Sequence, residues 1–119
     1  MLGDFNALPE NETVAWILKE GGFKSSHKEF HGTEPEKTFN TGLISPFTED
    51  EPPCTVDYIF YRDGKHTSAS NLNHPRIRLT NSKVMGDKHE AGDNTLYGSD
   101  HYPLVADFEI SLNRSNTTV

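Results

Sequence analysis

Three short stretches hold most of the residues able to do chemistry: Gly-Asp-Phe-Asn at 3–6, Thr-Val-Asp-Tyr-Ile-Phe at 55–60 and Gly-Ser-Asp-His-Tyr-Pro at 98–103. Each sets an acidic side chain at the edge of an apolar run. Together they offer Asp4, Asn6, Asp57, Asp100 and His101. Carboxylates suit hard cations such as Mg²⁺. A histidine paired with an aspartate can hold or move a proton near neutral pH. An asparagine amide can donate to a phosphate oxygen without adding charge. This is the inventory of metal-assisted phosphoester hydrolysis. Each stretch also has a plainer reading. Gly-Asp-x-Asn is often only a turn closed by side chain-to-backbone hydrogen bonds. Asp57 could satisfy a neighbouring backbone group, and Ser-Asp-His could be a loop. Ser99 is no triad nucleophile, because contiguous residues rarely converge and no nucleophile elbow surrounds it.

Spacing constrains how these side chains can meet. If the backbone stays extended across 4–6, Asp4 and Asn6 point the same way and Phe5 points to the core. Asp100 and His101 are adjacent and diverge in an extended segment, so both reach one site only if the chain turns there. Gly98, Ser99 and Pro103 supply the residues for such a turn.

The elements that must position them are partly readable. Val14, Ala15, Ile17 and Leu18 fall at helical spacing, Asn11 is a candidate cap and Gly21-Gly22 a candidate stop. The spacing predicts a helix over 11–20. Residues 55–62 are β-branched and aromatic-rich, with apolar side chains on both faces, and predict a buried strand. Residues 102–110 predict another, with Leu104, Ala106, Phe108 and Ile110 on one face and Asp107 and Glu109 on the other. Stretches 40–54 and 81–98 read as long loops, the first for its prolines, the second for its Gly, Asp and Asn content.

Taken in order, GDFN, DYIF and SDHYP resemble the endonuclease/exonuclease/phosphatase superfamily, whose fold is DNase I-like. The wording GDFNALPEN, KTFNTGL and TVDYIFYR resembles its nocturnin-like, deadenylase-like branch. The resemblance runs from Gly3 to about Ile110 and covers only the C-terminal half of that domain. It implies an α+β fold, half of a four-layered sandwich of two mainly antiparallel sheets flanked by helices, over residues 1–112, with 113–119 a flexible tail. It implies that Asp4 orients or deprotonates the attacking water, that Asn6 bonds the scissile phosphate, and that His101 contacts that phosphate and stabilises its charge. Asp57 would pair with His101 and fix its tautomer, and Asp100, with Asp4, would lie at the metal site. The implied cation is Mg²⁺ or Mn²⁺. No residue here matches the family's main metal-ligand glutamate; Glu10 and Glu12 head into the predicted helix. The expectation is therefore a phosphodiesterase, nuclease or phosphatase whose N-terminal half is supplied in cis or in trans, this chain alone being inactive. The alternative is a non-catalytic half-domain that binds a partner chain.

Composition sets outer bounds. The chain has 119 residues and fits one domain. Its hydrophobic fraction of 33% is below the usual ~45–50%, as expected of half a sandwich lacking its packing partner. A net charge of −7 disfavours broad attraction to a duplex or an anionic membrane. The substrate expected is accordingly RNA or a small nucleotide-like phosphodiester. The single Cys54 excludes an internal disulfide and a thiolate zinc cluster. No apolar run spans a membrane and no signal peptide is visible; an intracellular setting is favoured.

Other residues carry weaker signals. His27 and His31 have i,i+4 spacing, which on a helix could chelate zinc, but Gly32 follows at once and a solvated loop is the expectation. Phe39 and Phe47 could stack on a base or pack under their loop. Arg76, Arg78, Lys83 and Lys88 form a basic cluster that could touch phosphates or lie on a solvated surface. The GDKHEAGDN stretch fails EF-hand spacing. Asn113 and Asn116 match the glycosylation pattern, a match common by chance.

Overall fold

The computed structural model describes residues 1–42, 51–62, 76–86 and 99–111. Seven elements follow in order: β1 (Leu2–Asp4), α1 (Glu12–Lys19), β2 (Lys24–Ser25), α2 (Ser26–His31), β3 (Asp57–Tyr61), β4 (Arg76–Val84) and β5 (Leu104–Ser111). They form two antiparallel sheets, a three-stranded one in the order β1-β3-β2 and a two-stranded β4-β5 hairpin. The result is a small α+β structure with two short helices. No helix among the described residues is long and apolar enough to cross a membrane.

Helix α1 forms where its apolar spacing and caps agree. The Asn11 side chain accepts from Thr13 N–H at 3.0 Å, satisfying one of the free donors at the helix start. Val14 and Ile17 are buried on one face. The helix ends at Lys19 with Glu20 as its C-cap. Position 21 must be glycine because a Cβ there would lie 2.5 Å from Ile17 O, and Gly22 takes the left-handed φ of +63° that turns the chain away.

Central strand β3 divides two environments. Tyr58 and Phe60, two residues apart, share a face and stack with ring centroids 5.0 Å apart. Phe5 meets both edge-on, so it does point to the core. These rings, with Ala7, Val14 and Ile17, make the apolar core. The other face carries Asp57, Ile59 and Tyr61. Tyr61 meets Phe108 of β5 at 5.0 Å, which joins the two sheets.

Three local expectations are corrected. Residues 81–84 belong to β4 rather than to a loop. Asn81 and Ser82 have low strand propensity, but a bulge between Leu79 and Asn81 keeps the pairing with β5, and Thr80 and Asn81 side chains bond to Asp107. The His27–His31 stretch is helix, not loop; Gly32 is its left-handed C-cap and donates to Lys28 O at 2.8 Å. The backbone does not stay extended through Asn6, whose φ is +50°. The remainder of the 81–98 loop beyond Gly86 up to Gly98, residues 43–50 of the earlier one, Phe47, Lys88, Asp87–Asn94 of the GDKHEAGDN stretch, and Asn113 and Asn116 with the rest of the tail lie outside the described residues.

Candidate functional site

Antiparallel pairing of β1 with β3 sets Asp4 directly opposite Asp57. Like charges in that position repel, so the sheet has no structural reason to prefer them. Asp4 is the last residue of β1 and Asp57 the first of β3, and the chain turns after Asp4. Asp4 Oδ1 accepts from Asn6 N–H at 2.7 Å. That is the side chain-to-backbone turn anticipated as the plainer reading, and it coexists with any chemical role. The turn rotates Asn6 into the left-handed region that asparagine tolerates. Tyr58 OH then donates to Ala7 O at 2.9 Å and fixes the turn from below.

His101 closes the site. Its Nδ1 lies 2.8 Å from Asp57 Oδ2. The ring is 30% exposed and the carboxylate 18%. Burial pulls the imidazole down. The Asp57 hydrogen bond and the charges of Asp57, Asp4 and Asp100 outweigh it, and His101 ends above its ordinary 6.5. Phe39 lies against the ring, with centroids 5.0 Å apart. The chain bends at Ser99–Asp100, and Ser99 Oγ accepts from His101 N–H at 3.1 Å. This bend sends His101 to Asp57, while the Asp100 carbonyl accepts from Thr41 N–H at 3.0 Å.

Asp4, Asn6 and His101 wall one cleft of about 460 Å³, with Phe39, Glu51 and Cys54. Asp100 does not line it, and Asp57 stands behind His101. Cys54 is no activated thiol: burial, then the charges of Glu51, Asp57 and Asp4, push it up. Arg78 pairs with Glu109 across the β4-β5 hairpin, and neither it nor Arg76 nor Lys83 lines the cleft.

The carboxylates of Asp4 and Glu51 in the cleft are oxygen donors of the kind Mg²⁺ takes. Yet among the described residues no three side chains of His, Cys, Asp or Glu converge on one point. These residues do not amount to a Mg²⁺ site.

One positioning residue escaped the sequence reading. Thr38 is fully buried, and its Oγ1 accepts from both Val56 N–H and Asp57 N–H at 3.1 Å. Its carbonyl accepts from Tyr102 N–H at 2.7 Å. A single threonine thus ties the segment bearing Asp57 to the segment bearing His101. Phe39 extends the knot with bridges to Cys54 and His101. The available signal was the Thr-Phe-Asn-Thr run at 38–41, whose small hydroxyls suit backbone bonding.

No family model matches the chain, and neither does any curated protein or solved structure.

Proposed function

We propose that this chain is the C-terminal half of a divalent-cation-dependent phosphoester hydrolase of the endonuclease/exonuclease/phosphatase type. The observation that carries the reading is His101, held from behind by Asp57, opening onto the same cleft as Asp4 and Asn6. His101 Nδ1 donates to Asp57, so only the protonated ring offers Nε2–H to an anion. The raised proton affinity of His101 extends upward the pH range in which that donor is present and suits a developing phosphorane charge. Asn6 adds a neutral donor. Asp4, across the cleft, orients or deprotonates the attacking water. The cation, Mg²⁺ or Mn²⁺, would need donors beyond the described residues; Asp4 is the carboxylate this chain sets in the cleft, and Asp100, expected beside it, does not line it. An RNA or a small nucleotide-like phosphodiester fits the cleft best, because an acidic chain offers a long duplex little.

The need for a complementary half has its own support. Leu2 is 74% exposed and Ile110 67%. Two adjoining apolar hollows of about 340 and 360 Å³ share Leu2 and Ile59 as walls and continue along Leu104, Phe108 and Ile110. A contiguous open apolar surface of this kind marks an interaction site. The same furrow supports the second reading, a half-domain that only binds a partner chain. Docking has no use for a buried-edge Asp–His pair, and hydrolysis does.

The test is complementation. Hydrolysis of bis(p-nitrophenyl) phosphate and of a short RNA in Mg²⁺ is measured for the chain alone and for the chain joined to, or mixed with, its complementary half-domain. The reading expects activity only in the completed domain and its loss in Asp4→Asn. A completed domain without hydrolytic activity leaves the binding module.

A further inference from the structure

Helix α2 carries His27 and His31 one turn apart, and neither belongs to the cleft. Their ring centroids are 4.4 Å apart with planes inclined at 36°. Each ring is anchored at one nitrogen by a main-chain carbonyl. His27 Nδ1 lies 2.8 Å from Thr33 O, and His31 Nε2 lies 2.6 Å from Ser82 O. A carbonyl oxygen only accepts, so each anchored nitrogen carries a proton and donates it. In the neutral rings His27 Nε2 and His31 Nδ1 are then both bare lone pairs. Fixing the tautomer through a carbonyl at the far nitrogen is how metal-ligating histidines are oriented and made more basic.

Both rings wall a cavity of about 620 Å³ that shares no wall residue with the cleft. Glu34 and Glu36 lie on that wall, offsetting Lys37 and Lys83. Glu34 Oε2 accepts from Ser25 Oγ at 2.8 Å, while Oε1 is buried with no hydrogen-bond partner among the described residues. A carboxylate oxygen left in that state is costly unless water or a cation meets it.

We propose that His27 and His31 form a bidentate site for a first-row transition cation of the Zn²⁺, Cu²⁺ or Ni²⁺ kind. Imidazole nitrogen selects these ions, while Mg²⁺ prefers oxygen. Two imidazoles side by side on one cation, at ~2.0–2.1 Å each, place their centroids roughly 4.5–5 Å apart. The observed centroid separation of 4.4 Å lies close to that range. No third His, Cys, Asp or Glu joins the pair among the described residues, so water completes the coordination. A cation there would pin α2 to β4, since His31 already bonds to Ser82 O.

The full chain, labelled with ¹⁵N, is titrated with ZnCl₂ and its imidazole nitrogens followed by long-range ¹H–¹⁵N NMR. The expected result is that His27 Nε2 and His31 Nδ1 move together and saturate at one equivalent, with the remaining histidines unmoved and MgCl₂ without effect. Calorimetry on His27→Gln should show affinity for Zn²⁺ reduced about tenfold or more. His31→Gln can loosen the docking of α2, so His27→Gln and the wild-type resonances decide. Zn²⁺ shifts at His101 alone, no shift at either α2 ring, or unchanged affinity in His27→Gln would each overturn the site.

Discussion

Strand pair β1-β3 serves two regions that differ in how complete they are. At the end bearing Asp4 and Asp57 the chain closes on itself: Thr38 holds Val56, Asp57 and Tyr102, and Asp57 holds His101. Along the furrow, Leu2 of the same β1 is 74% exposed beside Ile59. The polar end is finished by this chain's own hydrogen bonds, and the apolar flank is not finished by its own side chains. Burial of a polar group demands a specific partner at a specific distance. An apolar face accepts any well-shaped cover, so its partner can come from another segment.

The largest effect should come from the chemistry. Asp4→Asn in the completed domain should reduce phosphodiester hydrolysis by about 10²–10⁴-fold, the usual worth of a positioned base, in a steady-state assay. The knot should give the next largest. Thr38→Val strands two backbone donors and should cost about 2–6 kcal/mol at ~1–3 kcal/mol for each unsatisfied group, read by urea denaturation. A smaller loss would mean that the polar end is not held as described.

Asp57→Asn should drop the His101 titration midpoint, measured by NMR, because the hydrogen bond and the nearest negative charge both raise it. Stability should follow the same pair. A group whose proton affinity is higher in the folded state stabilises most when protonated. The contribution is fully present below the unfolded value near 6.5 and is lost as pH rises through the higher folded value. Thermal melts across that range should show the decline in wild type and a flatter profile in Asp57→Asn.

The smallest effects would sharpen the contrast between the regions. Leu2→Ser should change the chain's own stability by no more than ~0.5 kcal/mol, as at an exposed site, yet weaken its affinity for the complementary half by tenfold or more in calorimetry. Asp4→Asn should stabilise the chain by about 0.2–1 kcal/mol by removing the cross-strand repulsion with Asp57. A site residue that stabilises when neutralised is one kept for chemistry.

What could be read from the sequence follows the range of the interactions. Helix α1 was legible because Asn11, Val14, Ile17 and Gly21 act within about three turns. Strands β3 and β5 were legible from side-chain type, with boundaries displaced by one or two residues. Strand β4 was not, since its polar half pairs only through β5 and a bulge. Helix α2 was hidden by its length of 6 residues, too short for periodicity to show. The residues flanking the cleft were visible as three acidic-apolar stretches. Their convergence, and the part of Thr38 in it, rests on bonds spanning 18 and 44 positions, which no local pattern records.

The most direct test of the Asp57–His101 pair as the working element is the pH dependence of hydrolysis by the completed domain, wild type against Asp57→Asn. The account predicts that wild type holds its rate until pH passes the raised value of His101, and that Asp57→Asn is slower with its alkaline limb moved to lower pH. Superimposable profiles would contradict it.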